Sequence, residues 1–228
     1  MKQDTQKTVK VSEIFLSIQS EGRLVGVPSA FIRLAGCNLR CKWCDTAYSW
    51  DRRRGKSYPL AEILEQVRQY NCRHIVVTGG EPLLTDELDK LLELLSQTGK
   101  HITVETAATS YRNIKCDLIS ISPKLSNSAA PGDNNQKRLN IQAIAEFIRQ
   151  HDYQLKFVVS SPDDIPEVED ILAKLPKLDR QKVMLMPMAS TKAQYRQIAL
   201  IVAQLCIDNN FRYCNRLHLE LWGNRRGR

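Results

Sequence analysis

The sequence contains no apolar run long enough to cross a membrane. Its longest uninterrupted stretches, at 183–189 with a proline inside and at 198–203, fall far short of the roughly 18 to 20 residues a bilayer span requires, so no membrane helix is expected. Glycine and proline are sparse, 10 and 9 of 228 residues, which excludes collagen-like and low-complexity architectures. Aromatic residues make up 7% and do not interleave with a basic stripe, as nucleic-acid readers require, so no nucleic-acid partner is expected. The opening MKQDTQKTVKVSE lacks the apolar stretch and small-residue cleavage site of a secretory signal. A cytoplasmic location is the expectation, one in which thiols stay reduced. Internal repeats and linker-like tracts are also missing, so residues 1–228 read as one domain.

What is present is an ordinary globular composition, 43% hydrophobic and 25% charged, with 33 Lys and Arg against 25 Asp and Glu. The resulting net charge of +8 suggests an anionic partner without naming it. A chain of this length can bury roughly 70 to 75% of its unfolded surface without disulfides. Its seven cysteines are therefore free for other work.

Short β-branched runs alternate with amphipathic ones. The runs predict strands at 29–35, 74–78, 102–105, 118–122, 154–159 and 182–186. Helices are expected at 60–69, 86–97 with Thr85 as N-cap, 140–149, 165–174 and 192–208. Repeated strand–helix units imply a parallel sheet with right-handed crossovers. An eight-fold barrel usually takes about 250 residues, so an open, partial TIM-like α/β barrel is expected. Two polar segments without a period, 37–57 and 122–140, each follow a strand directly, at the end where parallel α/β proteins place their ligands.

The first of these segments holds GCNLRCKWCD, placing Cys37, Cys41 and Cys44 at C-x3-C-x2-C spacing. Three thiolates within eight residues can wrap a zinc ion or an iron–sulfur cluster. A closed zinc site needs a fourth ligand, and the next candidates, Cys72 and His74, lie a helix away. A cubane held by three thiolates would leave one iron open to a small molecule. Cys72, Cys116, Cys206 and Cys214 lie in or beside apolar runs and read as core thiols.

The triple-cysteine loop, together with Thr78-Gly79-Gly80-Glu81-Pro82 at the end of the second predicted parallel strand, resembles the radical S-adenosylmethionine (SAM) superfamily. Within it, the stretch from Glu13 through Ile18-Gln19-Ser20-Glu21-Gly22, then Gly26-Val27-Pro28, Phe31-Ile32-Arg33-Leu34, Asp45-Thr46 and Ser122-Pro123-Lys124 is similar to the 7-carboxy-7-deazaguanine synthase family. Weaker likeness returns at 184–188 and 218–224. Ser20 stands where the family pattern has Gly.

The resemblance implies a lyase that converts 6-carboxy-5,6,7,8-tetrahydropterin to 7-carboxy-7-deazaguanine with loss of ammonia, in queuosine biosynthesis. It implies a 4Fe-4S cluster on Cys37, Cys41 and Cys44, and Mg²⁺ at Thr46. Trp43, Cys44, Asp45, Gly80, Ser122, Pro123 and Lys124 would hold SAM, with Glu81 able to accept from its amino group. Ile18, Gln19, Ser20, Arg33 and Thr78 would hold the pterin. Residues 1–28 would form a substrate-binding N-terminal segment and 211–228 a C-terminal extension. A homodimer and a flavodoxin- or ferredoxin-type electron donor are implied as well. Two alternatives stay open, a glycyl-radical-enzyme activase and a non-catalytic metal or iron–sulfur module. His218 is a weaker candidate for substrate contact, since a lone histidine on a C-terminal strand is more often a satisfied core residue.

Overall fold

The computed structural model describes residues 7–129 and 138–228. The part of the second polar segment at 130–137, like residues 1–6, lies outside the described residues. The strands are β1 (Thr8–Ile18), β2 (Pro28–Leu34), β3 (Lys56–Pro59), β4 (His74–Gly79), β5 (His101–Thr106), β6 (Leu118–Ile121), β7 (Tyr153–Val159), β8 (Val183–Pro187) and β9 (Arg212–Tyr213). The helices are α1 (Leu60–Gln69), α2 (Leu88–Ser96), α3 (Ile141–Gln150), α4 (Ile165–Ala173), α5 (Lys192–Asn209) and α6 (Leu217–Trp222).

The strands form one sheet in the order β3-β1-β2-β4-β5-β6-β7-β8-β9. From β2 to β9 every pairing is parallel, whereas β1 runs antiparallel to both β2 and β3. The sheet is open, with β3 and β9 at its edges, as a partial barrel requires. All six strands expected from the sequence are present. The N-terminal segment contributes one more, β1, whose bulge between Val11 and Glu13 breaks the clean alternation that would have marked it.

Burial explains the pattern. β4 reads HIVVTG and is buried through Ile75, Val76, Val77 and Thr78, the continuous run of an interior parallel strand. In β7, Leu155, Phe157 and Val159 enter the main apolar core with the helices, while Gln154, Lys156 and Val158 take the opposite face. α3 buries Ala143, Ile144, Phe147 and Ile148. The Asn140 side chain caps it by accepting from Ala143 N at 3.0 Å.

One expectation about the connections is corrected. Thr85 does not cap α2. Glu81 Oε1 accepts from Leu83 N, winding residues Pro82–Leu84 into a 3₁₀ turn, and the helix starts only after Glu87. No helix separates β5 from β6; residues 107–117 cross without one. The carboxyl ends of β2, β4, β5, β6, β7 and β8 all open on the same side of the sheet, and there the functional residues gather.

Candidate active site

A cavity of about 390 Å³ lies over those strand ends. Cys37, Cys41 and Cys44 all line it, with Trp43, Asp45 and Thr46 of the same loop. Burial pushes the Cys37 thiol up to about 11; the Leu39 N–H, donating to its Sγ at 3.3 Å, works against that rise, and Glu81, Cys41 and Cys44 add to it. Burial raises Cys41 as well, against the pull of Lys124. A positively charged group bound here would favour the thiolate forms of Cys37 and Cys41. Among the described residues, no three His, Cys, Asp or Glu side chains close on a single-ion position. Three thiols on one cavity wall are the soft donor set that an iron–sulfur cluster takes. The buried Trp43 Nε1, in the same wall, has no hydrogen-bond partner, a donor left over for a bound molecule.

The Gly79-Gly80 pair at the end of β4 is required by close approach. A Cβ on Gly79, whose φ is +153°, would lie 2.3 Å from Leu34 O, and one on Gly80 would lie 2.3 Å from Gly36 O and 2.8 Å from Cys37 Cβ. Gly80 lines the cavity, but Glu81 does not. Its carboxylate is 1% exposed and is spent on Thr106 Oγ1 at 2.6 Å and Ala107 N at 2.9 Å, tying β4 to β5. The expectation that Glu81 meets the SAM amino group is thereby corrected. Ser122 and Lys124 line the cavity, whereas Pro123 is buried behind it. Lys124 Nζ folds back on Ser122, donating to its carbonyl at 2.8 Å and its hydroxyl at 2.7 Å, and lies 5.6 Å over the Trp43 ring.

Ile18, Gln19, Ser20, Arg33 and Thr78 complete the wall. Gln19 is a hub: its Oε1 accepts from Ser20 N at 2.8 Å, and its Nε2 donates to Glu105 Oε1 at 3.3 Å. Thr78 donates to the other Glu105 oxygen at 3.3 Å. Arg33 points into the cavity, where it is already paired with an anion. Its Nε donates to Glu13 Oε1 at 2.7 Å, and the Tyr48 hydroxyl donates to the same oxygen at 2.5 Å. The Thr46 hydroxyl lies 3.6 Å from Cys44 Sγ and caps no helix.

The Radical SAM superfamily model matches residues 31–153. The chain is 37% identical over 231 residues to the 7-carboxy-7-deazaguanine synthase of Halobacterium salinarum, covering 93% of this chain and 90% of the relative. It is 34% identical to that of Rhodopirellula baltica, covering 98% and 90%. The chain belongs to the 7-carboxy-7-deazaguanine synthase family. The crystal structure of QueE from Escherichia coli superposes with a TM-score of 0.68 at 25% identity, covering 91% of this chain and 93% of that one.

Several cavity residues escaped the sequence. Lys156, 2% exposed in mid-strand, donates to Glu21 Oε2 at 2.8 Å and Glu105 Oε1 at 3.3 Å. Its place inside an apolar run is the signal that could have flagged it. Burial would raise Glu21, but Lys156, Arg216 and His218 outweigh it and hold the carboxyl at about 2. Arg216 bonds Glu21, Asp45 and the Ala189 carbonyl. Against burial, Arg216 and His218 hold Asp45 well below the usual carboxylate range. His218 is no isolated core residue on a strand. It sits on α6 and lines the cavity, its Nδ1 2.9 Å from the hydroxyl of Ser20, the position where the family pattern has Gly. Residues 224–228 also line the cavity; Arg226 reaches Glu13 at 3.3 Å and lies 4.5 Å over Tyr48.

Proposed function

We propose that this chain converts 6-carboxy-5,6,7,8-tetrahydropterin to 7-carboxy-7-deazaguanine with loss of ammonia, as a radical SAM carbon–nitrogen lyase of queuosine and deazapurine biosynthesis. The observation that carries the reading is the meeting in one cavity of the three loop thiols with Gln19, Arg33 and Thr78. Seven Lys and Arg side chains line the space against three carboxylates, a balance that suits a small anionic substrate better than a protein backbone and so disfavours the activase alternative.

Cys37, Cys41 and Cys44 would hold a 4Fe-4S cluster. Trp43, Cys44, Asp45, Gly80, Ser122 and Lys124 would hold SAM, with the buried Pro123 fixing the turn between the last two rather than touching it. When bound, these two groups supply the one-electron chemistry that starts the ring contraction. The chain's own part is recognition and exclusion of water. Glu105, oriented by Gln19, Thr78 and Lys156, presents acceptor oxygens to the N–H groups of a pterin. Arg33 and the cations around it offer donors to the substrate carboxylate. Ile18 and Ser20 border the same site at the end of β1. Thr46 would give a hydroxyl to Mg²⁺, an ion that takes few protein ligands and leaves positions for substrate oxygens. The whole chain acts as one unit in this reading, with residues 1–28 as its substrate-binding N-terminal segment, of which Phe15 and residues 18–21 border the cavity, and 211–228 as its C-terminal extension. It works in the cytoplasm as a homodimer supplied by a flavodoxin- or ferredoxin-type electron donor.

The test is turnover. Anaerobically reconstituted protein, given dithionite, SAM and 6-carboxy-tetrahydropterin, is expected to release ammonia and form 7-carboxy-7-deazaguanine, read by mass spectrometry. Recovery of the unchanged pterin would contradict the reading.

A further inference from the structure

The turn after β1 and the segment leading into α6 are joined at four points. Gly22 N donates to Cys214 Sγ at 3.1 Å, Arg216 Nε to Glu21 Oε1 at 3.3 Å, and Leu217 N to Ser20 O at 3.0 Å. The fourth contact joins side chains, Ser20 Oγ lying 2.9 Å from His218 Nδ1. None of the first three uses the Ser20 side chain, so all three would survive the glycine that the family pattern has at this position. The fourth would not. The backbone at Ser20 is not left-handed, so a side chain there costs no strain.

His218 is held between a hydroxyl and a carboxylate. Its Nδ1 faces Ser20, and its Nε2 lies 3.7 Å from Asp45 Oδ2. The second distance is too long for a hydrogen bond but short enough for charge to act. Against burial, Arg216 and His218 keep Asp45 ionised. A neutral imidazole carries one proton, on one nitrogen or the other. With the proton on Nδ1, the Nε2 lone pair would face the Asp45 carboxylate, which is repulsive. With the proton on Nε2, the N–H dipole points favourably toward Asp45, and Nδ1 is free to accept. Ser20 then supplies the O–H that Nδ1 needs, and among the described residues that hydroxyl meets no other partner.

We propose that Ser20 is a positioning residue for His218: its hydroxyl donates to Nδ1, keeps the ring proton on Nε2 and so makes His218 a fixed donor on the cavity wall for an acceptor atom of the pterin. The identity of that acceptor rests on the function proposed above, whereas the tautomer does not. Without the hydroxyl, Nδ1 has no partner, and the ring is free to turn and to share its proton between the two nitrogens. The anchor of the surrounding backbone is unchanged, because Leu217 N still donates to the carbonyl of residue 20.

The experiment reads the tautomer directly, by long-range ¹H–¹⁵N spectra of the oxidised, reconstituted holoenzyme labelled with ¹⁵N-histidine, before substrate is added. The His218 signals are those that vanish in His218→Asn. The parent and Ser20→Thr are expected to show the proton on Nε2, and Ser20→Ala and Ser20→Gly a mixture of tautomers. Affinity for 6-carboxy-tetrahydropterin, read by calorimetry, is expected to fall about two- to tenfold in Ser20→Ala and Ser20→Gly, the worth of one hydrogen bond, and to stay near the parent value in Ser20→Thr. Iron bound per chain should be equal in all four proteins. The inference is overturned if Ser20→Ala keeps the parent tautomer, or if the tautomer shifts and affinity does not. A fall in affinity with the tautomer unchanged would overturn it too, since the hydroxyl would then touch the pterin itself. If the tautomer shifts as expected but the parent binds no pterin, the positioning of His218 stands and the proposed substrate falls.

Discussion

The two faces of β7 are equally buried and hold the protein together in different ways. On one face Leu155, Phe157 and Val159 are 0% exposed and contribute volume to the main core. On the other, Gln154 and Lys156 are each 2% exposed, and every polar atom they bury is matched to a named partner. Gln154 donates to Ser120 Oγ at 2.9 Å and accepts from Arg23 N at 2.9 Å. It also presses on Gly22, where a Cβ would lie 2.2 Å from its Nε2. Apolar packing tolerates substitutions that conserve volume, whereas a buried ion pair fails when one member is removed. The helix-facing side thus determines whether the chain folds, and the cavity-facing side determines what the folded chain can hold.

The largest expected effect sharpens that contrast. Lys156→Met removes a buried ammonium shared by the half-buried Glu21 and Glu105, leaving Arg216 as the remaining cation beside Glu21, and is expected to cost about 3 to 5 kcal/mol of stability, read by urea denaturation. Binding of 6-carboxy-tetrahydropterin, read by calorimetry, should be lost with it. Next comes the neighbouring residue on the opposite face. Leu155→Ala is expected to cost about 2 to 5 kcal/mol through the cavity it leaves, while substrate affinity of the folded fraction stays at the parent value. Unchanged affinity in Lys156→Met, or lost affinity in Leu155→Ala, would break the comparison.

A smaller effect concerns acid. Because Glu21 falls from 4.5 to about 2 on folding, its pairing contributes full stability above pH 4.5, and that contribution drains away as pH drops toward 2. The parent should lose unfolding free energy across this window, and Glu21→Gln should lose less, as measured by denaturant midpoints at a series of pH values. An equally steep fall in both would place the acid sensitivity elsewhere. The smallest is Arg33→Lys, which keeps the charge and loses the planar fork that reaches Glu13. A drop of about 1 to 3 kcal/mol in substrate affinity is expected, smallest if Glu13 continues to hold the ammonium. Equal affinity would make Arg33 purely structural.

The cavity's chemistry was legible where it is local in the chain. Three cysteines within eight residues and two adjacent glycines announce themselves, and the structure places all five where their spacing implied. The six core strands were legible for the same reason, since β-branched runs such as His74–Gly79 carry their own signal. What stayed hidden is joined only in space. Glu21 meets Arg216, Asp45 meets Arg216, and Ser20 meets His218 across nearly the whole chain, with no periodicity to connect them. Arg33 pairs with Glu13 on β1, a strand that no clean alternation marked, so that partner could not be read from the sequence. Thr85 failed as a cap because Glu81, which looked like a ligand-binding carboxylate, instead winds the turn before α2.

The most direct test of the three-thiolate site is the iron and acid-labile sulfide bound per chain after anaerobic reconstitution. Parent protein and the Cys206→Ser variant, whose thiol is buried on α5 away from the cavity, should bind equal amounts of both. Cys37→Ala, Cys41→Ala and Cys44→Ala should each lose them. Full iron and sulfide in any of the three triplet variants, or a colourless parent that holds a single zinc ion, would contradict the account.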